Sequence, residues 1–265
     1  MKIKGKIINA AICISFLSVC AAFSHAAPAK QTPEASLKKL FPRLQYKSIK
    51  RTDIDGLYEV ITGDRIVYFH PKTGYLFLGE IINKDGRNIT REKMSEERYK
   101  LLSANDFKKA VKVGNGKNVV LEVTDPDCPF CRKMHAYWSM RKDVTRYVFF
   151  MPLVNIHPDS MKKAKYILAS SDHEKAMFEA FCGSLDNKRD VLDKSYDDKG
   201  MINAQKTVID KLQVSGTPSY WINGKFVSGA NIPLIESFIG KADSTAPSVH
   251  DAEGSGCGEI KKSGQ

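Results

Sequence analysis

Metal-binding patterns are missing from this chain, although it contains cysteine. Six cysteines occur among its 265 residues, and only Cys128 and Cys131 have the Cys-x-x-Cys spacing. Neither a second pair of this kind nor a His-x-x-x-His pattern follows at a useful spacing, which argues against a zinc site. His135 could be imagined as a third ligand, but a partly exposed helix histidine is the simpler interpretation.

Two further absences concern membranes and nucleic acids. Beyond residue 26, no segment approaches the run of about 18 apolar residues that a membrane-spanning helix needs. Lys and Arg outnumber Asp and Glu by 41 to 30, yet this charge is spread through the chain and accompanies no recognition motif. We therefore expect a soluble mature protein with a solvated basic surface and no nucleic-acid partner.

The first 26 residues have the pattern of a secretory signal peptide. Basic residues precede an apolar stretch over 7–19, and Ser24-His25-Ala26 fits the small-x-small cleavage pattern. A lipoprotein signal would use Cys20, but Val19 stands where such signals need a small residue. We therefore expect residues 1–26 to be removed on export to an oxidising compartment, where disulfides persist.

The tetrapeptide Cys128-Pro129-Phe130-Cys131 is typical of a thiol–disulfide redox site. Residues 118–124 before it predict a buried strand, and residues 132–138 predict the first turns of an amphipathic helix. A cysteine at a helix start meets unpaired N–H groups and the positive end of the helix dipole, which lower its pKa. A purely structural disulfide is the alternative, but so short a ring is strained and therefore reducible.

The two sulfurs are predicted to have different roles. Cys128, at the helix start, is the more exposed and more acidic, so we expect it to be the nucleophile. Cys131, one turn inside, is the expected resolving thiol. Pro129 suits the first turn, where its missing N–H loses no partner. Phe130 supplies no charge, so we expect a less extreme oxidant than a site with histidine there.

The other two cysteines of the mature chain leave alternatives open. Cys182 lies at the end of a predicted helix, and Cys257 lies in a Gly/Ser-rich tail. The two could form a disulfide, or Cys182 could be a buried thiol.

A small N-terminal domain is predicted from β-prone runs at 57–61, 66–69 and 75–82, with turn signals between them. The first two runs predict a hairpin, and a helix over 34–40 precedes them. So small a domain has a thin core and gains stability by self-association. A charged segment over 90–113 then predicts a helix, either a spacer or a surface helix of the next domain.

The second half of the chain has the plan of a thioredoxin-like domain. A second strand is predicted over 146–151, and a helical block over 158–211 follows. Two short strands joined by Asn223-Gly224 predict a tight hairpin, and 232–239 predicts a closing helix. Thr217-Pro218 precedes that hairpin, and its context predicts a cis peptide bond beside the redox pair.

These motifs together resemble the DsbC/DsbG family of exported bacterial thiol:disulfide interchange proteins. The similarity in order and spacing covers nearly all of the mature chain. It is carried, besides the linker helix, by 55–60, 74–79, 124–131 and 214–218. The resemblance implies an α+β, cystatin-like N-terminal dimerisation domain and an α/β thioredoxin-like domain with a helical insertion, joined by a linker helix. The expected divisions are a signal peptide 1–26, dimerisation domain 27–89, linker helix 90–116, catalytic domain 117–240 and flexible tail 241–265.

The resemblance also implies a function. It predicts a periplasmic homodimer whose two redox sites face a cleft that holds unfolded or misoxidised exported proteins. It predicts a membrane thiol reductant of the DsbD type as partner, and no cofactor beyond the redox pair. Isomerase or reductase activity with chaperone activity is the expected function. A DsbA-type oxidase and a mainly non-catalytic holdase are the alternatives.

Two features bear on the direction of exchange. The dipeptide Pro129-Phe130 is similar to the DsbG type, and Glu122 occupies a position where thioredoxin and DsbA-type proteins carry a buried acid. If Glu122 is buried beneath Cys131, it could relay a proton; a strand glutamate that points to solvent is the alternative. Thr217 and Pro218 are expected to tune the site and to offer backbone groups to an extended client.

Overall fold

The structure, a computed structural model, describes residues 32–241. The signal peptide expected over 1–26, Cys257 and the tail after Lys241 lie outside the described residues.

The N-terminal unit is one helix followed by an antiparallel sheet. Helix α1 begins at Pro33, and the Thr32 hydroxyl accepts a hydrogen bond from Ala35 N, so the helix starts as predicted. Its elements are α1 (Pro33–Leu40), β1 (Ser48–Arg51), β2 (Tyr58–Ile61), β3 (Ile66–His70) and β4 (Tyr75–Phe77). The four strands lie in the sheet in the same order as in the chain. The predicted β2–β3 hairpin is confirmed. The sequence analysis missed β1, whose polar residues show little apolar alternation, and the run predicted over 75–82 forms a strand only as far as Phe77.

The prediction of a helix over 90–113 is wrong in its second half. The elements there are α2 (Ile89–Tyr99), α3 (Ala104–Phe107) and β5 (Val111–Val113). A new helix start follows Tyr99 because Asp106 accepts hydrogen bonds from Ser103 N and Oγ at 2.9 Å each. Helix α2 also packs on the second domain, where Trp221 Nε1 donates to Ser95 O at 2.9 Å. Met94 of the same helix packs with Ile61 and Ile66 of the N-terminal unit, so α2 contacts both units, and the division at residues 90 and 116 stays a prediction.

The second unit is a mixed sheet with helices on both faces, in the predicted order. Its remaining elements are β6 (Asn118–Thr124), α4 (Pro129–Ser139), β7 (Val144–Phe150), α5 (Ser160–Ala169), α6 (His173–Phe181), α7 (Arg189–Leu192), α8 (Met201–Leu212), β8 (Ser219–Ile222), β9 (Lys225–Ser228) and α9 (Ile232–Ile239). The strand order is β5-β7-β6-β8-β9, with β6 and β7 parallel and β8 and β9 antiparallel. The predicted thioredoxin-like fold with a helical insertion is confirmed.

The central strand β6 sets the chemistry of the two faces of the sheet. Its side chains alternate between a layer beneath α4 and a layer beneath α8. Leu121 and Val123 face the α8 layer, whereas Val120 packs with Met134 and Trp138 of α4. Since side chains alternate, Glu122 and Thr124 lie on the α4 face with Val120. This face carries polar groups directly below the redox motif.

Candidate functional site

Cys128 lies at the N-terminus of α4, as the sequence predicted. It is the N-cap residue, and in its protonated form its Sγ donates a long hydrogen bond to the carbonyl oxygen of Thr217 at 3.7 Å. The pKa of Cys128 is lowered to about 5, mainly because the Cys131 thiol donates a hydrogen bond to its thiolate. The backbone N–H groups of Cys131 and Phe130 act in the same direction and, with that thiol, outweigh burial. At neutral pH this sulfur is a thiolate.

Cys131 has the opposite character. Its side chain is fully buried, and Asp125 N donates to its Sγ at 3.5 Å. Burial and the hydrogen bond that it gives to Cys128 raise its pKa well above the usual range. Both cysteines are free thiols. Their exposures differ little, 5% against 0%, so acidity rather than access separates the two sulfurs.

The predicted cis peptide bond between Thr217 and Pro218 is confirmed. This loop lies against the redox pair through the contact of Thr217 O with Cys128 Sγ. The Thr217 hydroxyl is buried without a hydrogen-bond partner among the described residues, and it lowers the pKa of both cysteines. The position is therefore suited to tune both sulfurs.

Four charged side chains, here called the outer cluster, surround the start of α4. Arg132 contacts Asp127 at 2.7 Å and Asp186 at 2.8 Å, and Lys163 contacts the same two carboxylates. Lys163 is only 2% exposed. Arg132 also donates to Pro126 O at 3.0 Å, which fastens the loop before Cys128. Asp127 thus faces two cations rather than the sulfur, and the cluster sums to zero charge.

A second charged group, here called the inner pair, lies beneath the redox motif. Glu122 and Arg146 are both buried, and Arg146 Nη1 donates to Glu122 Oε2 at 3.0 Å. The interpretation of Glu122 as a solvent-facing strand residue is wrong. Burial raises the pKa of Glu122 despite the neighbouring guanidinium. Its other oxygen, Oε1, has no partner among the described residues.

His135 is buried, so the expectation of a partly exposed histidine is wrong. It is 6% exposed and stacks on Phe181 with the ring centroids 4.7 Å apart. Burial, with the positive charge of Arg146, lowers its pKa to about 3. Within residues 32–241, no group of three or more His, Cys, Asp or Glu side chains could hold a metal ion.

Asp125 ties the redox motif to the loop after β7. Its fully buried carboxylate accepts hydrogen bonds from Asp127 N at 2.8 Å, Leu153 N at 2.8 Å and His157 Nδ1 at 3.0 Å. The loop that it holds exposes Val154 and Ile156, and Phe130 of the motif is 63% exposed. Both segments that Asp125 joins therefore carry solvent-exposed apolar side chains.

Cys182 forms a disulfide bond, so its interpretation as a buried free thiol is wrong. Its partner lies outside the described residues, and pairing with Cys257 stays a prediction.

The sequence analysis missed most of the groups around the two sulfurs. One signal was available: Lys163 lies among the buried residues Ser160, Ala164 and Ile167 of α5, at the spacing of an apolar helix face. A lysine in such a row needs an acidic partner. The sequence around Arg146 gives no comparable signal, because only the pairing of β6 with β7 brings Arg146 close to Glu122.

Comparison with known proteins matches both halves of the chain. The family model of the disulfide bond isomerase protein N-terminal domain matches residues 24–91, and that of a thioredoxin-like domain matches residues 105–233. Among the described residues, no helix is long and apolar enough to cross a membrane.

Curated relatives carry the name of thiol:disulfide interchange protein DsbC. The probable DsbC of Bordetella pertussis is 28% identical over 72% of this chain and 66% of its own length, and that of Escherichia coli is 26% identical over 82% and 89%. The chain spans between 44% and 66% of the length of the Bordetella relatives. A solved disulfide interchange protein from Neisseria gonorrhoeae is 31% identical over 51% of this chain and 96% of its own, with a TM-score of 0.42.

Proposed function

The chain belongs to the DsbC family of thiol:disulfide interchange proteins, and from this premise we propose that it is a disulfide isomerase or reductase. Its clients are misoxidised exported proteins, and its compartment is the periplasm. The observation that carries the proposal is the difference in acidity between the two sulfurs. A thiolate at Cys128 can attack a client disulfide, while Cys131 keeps its proton until it is needed.

The exchange begins with Cys128 and needs no cofactor. Its thiolate attacks one sulfur of a client disulfide, an S–S bond forms between Cys128 and that sulfur, and the second client sulfur leaves as a thiolate. That thiolate can attack a second client disulfide, which releases a different client sulfur as a thiolate; when this new thiolate displaces Cys128, the client has gained a new set of disulfides, which is isomerisation. Alternatively, Cys131 loses its proton and attacks Cys128, which oxidises the enzyme pair and leaves the client reduced by two electrons. Glu122 is the proposed acceptor of the Cys131 proton.

Client binding is supported by the surface around the motif. Phe130, Val154 and Ile156 expose 63%, 45% and 68% of their area, although apolar side chains of this size are normally buried. An unfolded client offers matching apolar side chains, and the Thr217 loop offers backbone groups to an extended segment. Chaperone activity follows from the same surface, because holding unfolded chains needs apolar contact and no sulfur chemistry.

A homodimer is supported by the edge of the N-terminal sheet. Strand β4 ends that sheet, and Tyr75, Phe77 and Leu78 on and beside it are 65%, 49% and 73% exposed. An exposed apolar sheet edge is a template for pairing with a second chain. Light scattering should give a dimer for the mature chain and a monomer for a fragment that starts near Ile89, which keeps α2 and β5 with the second unit. A full-length monomer at micromolar concentration would remove the dimer-cleft proposal.

The direction of exchange is tested by the redox state of the pair in growing cells. An isomerase or reductase must be kept reduced in an oxidising compartment, which we assign to a membrane reductant of the DsbD type. Acid quenching followed by a mass-shifting thiol reagent should show Cys128 and Cys131 mainly as dithiol. They should become oxidised when the reductant is removed. A mainly oxidised pair with the reductant present would support a DsbA-type oxidase, which the low pKa of Cys128 also favours.

Cys128→Ser separates an enzyme from a holdase. An isomerase loses the reshuffling of a scrambled disulfide substrate, while its suppression of the aggregation of a cysteine-free client remains. If reshuffling survives the substitution, the proposed role of Cys128 is wrong.

A further inference from the structure

Buried polar atoms without partners are concentrated beneath α4. Among the described residues they include Glu122 Oε1, Thr124 Oγ1 and Tyr220 OH. Leaving such groups unpaired costs roughly 1–3 kcal/mol each, so folded proteins retain few of them without a function. Three on one face of a sheet, below the redox pair, suggest that these groups exchange protons during the reaction.

The pairing of the strands fixes the order of these groups. Glu122 and Thr124 are two residues apart on β6, so they share a face, and Thr124 is nearer the motif. Thr124 is paired with Phe150 of β7, and Phe150 packs in the same core cluster as Cys128 and Cys131. Thr124 is fully buried, and the N–H of the next residue, Asp125, donates to Cys131 Sγ at 3.5 Å, so Thr124 lies beside the resolving cysteine on the side of the inner pair.

Each neighbour of Thr124 responds to its hydroxyl. The Thr124 side chain lowers the pKa of Glu122 and also that of Cys131, as a donor near each charged form does. In the dithiol form the Thr124 hydroxyl makes no hydrogen bond to either group. Arg146 donates to Oε2 of Glu122, which leaves Oε1 available as an acceptor for the Thr124 hydroxyl.

We propose that the Thr124 hydroxyl carries the proton between Cys131 and Glu122 in the resolving step. As Cys131 attacks Cys128, its S–H proton passes to Thr124 Oγ1 while the hydroxyl proton of Thr124 passes to Glu122 Oε1. The Cys131–Cys128 bond forms, the Cys128–client bond breaks, and the electron pair of that bond leaves on the client sulfur. Without this route Cys131 would have to lose its proton in a site that water does not reach. The inference rests on the proposed exchange function and assigns a residue to one step of it.

The experiment uses the reduced mature protein and the aromatic disulfide 5,5′-dithiobis(2-nitrobenzoate). Attack by Cys128 releases one coloured thiolate, and attack by Cys131 on the mixed disulfide releases a second, so stopped flow separates the two steps. Cys131→Ser, which can give only the first release, assigns the phases. We expect Thr124→Val to slow the second phase by about 100-fold or more at pH 7, since a positioned acid–base group contributes roughly 10²–10⁴-fold, and to leave the first phase unchanged.

Three controls distinguish proton transfer from packing. Thr124→Ser keeps the hydroxyl and should restore the second phase. Thr145→Val removes another buried hydroxyl, on the neighbouring strand β7, which donates to Gly116 O at 2.7 Å. This substitution should leave both phases unchanged. The double variant Thr124→Val/Glu122→Gln should be no slower than the slower single variant, because the two residues act as a unit.

The pH profile completes the test. In Thr124→Val the rate of the second phase should rise about tenfold per pH unit, because it then follows the small thiolate fraction of Cys131, whose pKa is raised, whereas the wild type should depend less on pH. An unchanged second phase in Thr124→Val, or an equally slow one in Thr124→Ser, would overturn the relay. If the wild type gives no first phase, the proposed exchange function itself fails, which is a separate result.

Discussion

The outer cluster and the inner pair are two charged groups that flank one redox site, and they are built differently. The outer cluster joins two carboxylates to two cations, and Arg132 uses both of its terminal nitrogens on Asp186 at 2.8 Å. The inner pair joins one carboxylate to one cation and leaves Glu122 Oε1 without a partner among residues 32–241. One group is saturated with contacts, and the other has an open acceptor.

The two groups therefore respond to protons in opposite ways. Hydrogen bonds from Arg132 and Lys163 lower the pKa of Asp186 to about 2, so this carboxylate stays charged across the working range of pH. Burial raises the pKa of Glu122, which makes it a stronger base. A saturated cluster can hold the helix start in place, and an open pair can accept and return a proton. In the proposed reaction, the outer cluster positions the helix start and the inner pair transfers the proton.

Of the substitutions considered, one that breaks the outer cluster should cause the largest loss of folding stability. Lys163→Met leaves Asp127 and Asp186 with Arg132 as their only partner in the cluster, and loss of one member of a buried ion pair costs about 3–5 kcal/mol. Urea unfolding at pH 7 measures the change. The matched control is Lys162→Met on the same helix: Lys162 is 42% exposed and pairs with Asp193, so its loss should cost about 0–1 kcal/mol. Equal effects of the two substitutions would show that the cluster does not stabilise the site.

The opposite proton responses of the two groups should appear in stability against pH. Glu122 has a raised pKa, so the folded state binds more protons than the unfolded state above pH 4.5, and stability falls as the pH rises. Glu122→Gln lacks this titration, so its stability relative to wild type should rise above pH 4.5 by at most about 1.4 kcal/mol per pH unit, beside a pH-independent cost of breaking the buried pair. Asp186 has a lowered pKa, so its contribution is present above pH 3.8 and is lost as the pH falls through about 2.

Denaturant titrations of Glu122→Gln and Asp186→Asn from pH 2 to pH 8 provide the measurement, with the change expected below pH 3.8 for Asp186→Asn and above pH 4.5 for Glu122→Gln. The stability difference from wild type should change with pH in opposite directions in the two variants. Parallel curves would contradict the contrast between the saturated cluster and the open pair.

His135, which is close to Arg146 of the inner pair, should make a smaller contribution to the pH dependence of folding stability. Its lowered pKa means that, below pH 6.5, the unfolded chain takes up a proton that the folded chain does not, so stability falls as the pH drops toward 3. His135→Phe preserves the stacking on Phe181 and should be more stable than wild type by about 1 kcal/mol near pH 5.5. Thermal unfolding at pH 5.5 and 7.5 tests this. An advantage that is equal at both pH values would indicate packing rather than titration.

Local features of the chain were predictable, and the charged groups around the sulfurs were not. Helix α9 has the predicted bounds, and Asn223 and Gly224 adopt the positive φ values of a tight hairpin turn, because these signals lie within a few adjacent residues. The outer cluster brings together residues from the redox loop, α4, α5 and the segment after α6. No local pattern encodes such a contact.

The errors have the same origin. The local sequence predicts a partly exposed His135, because Phe181, which covers it, lies 46 residues later on α6. The charge pattern of the linker segment predicts a helix to 113, while pairing with β7 draws Val111–Val113 into the sheet. Tertiary contacts decided both cases against local propensity.

The most direct test of the account is the pH dependence of alkylation of the reduced protein by iodoacetamide, with each modified cysteine identified by mass spectrometry. The account predicts that Cys128 reacts with a half-maximal rate near pH 5, because the Cys131 thiol and the backbone N–H groups stabilise its thiolate. Cys131 should stay unmodified until the protein is unfolded. Half-maximal reaction of Cys128 near the ordinary thiol value of 9.0, or equal reaction of the two cysteines in the folded protein, would contradict it.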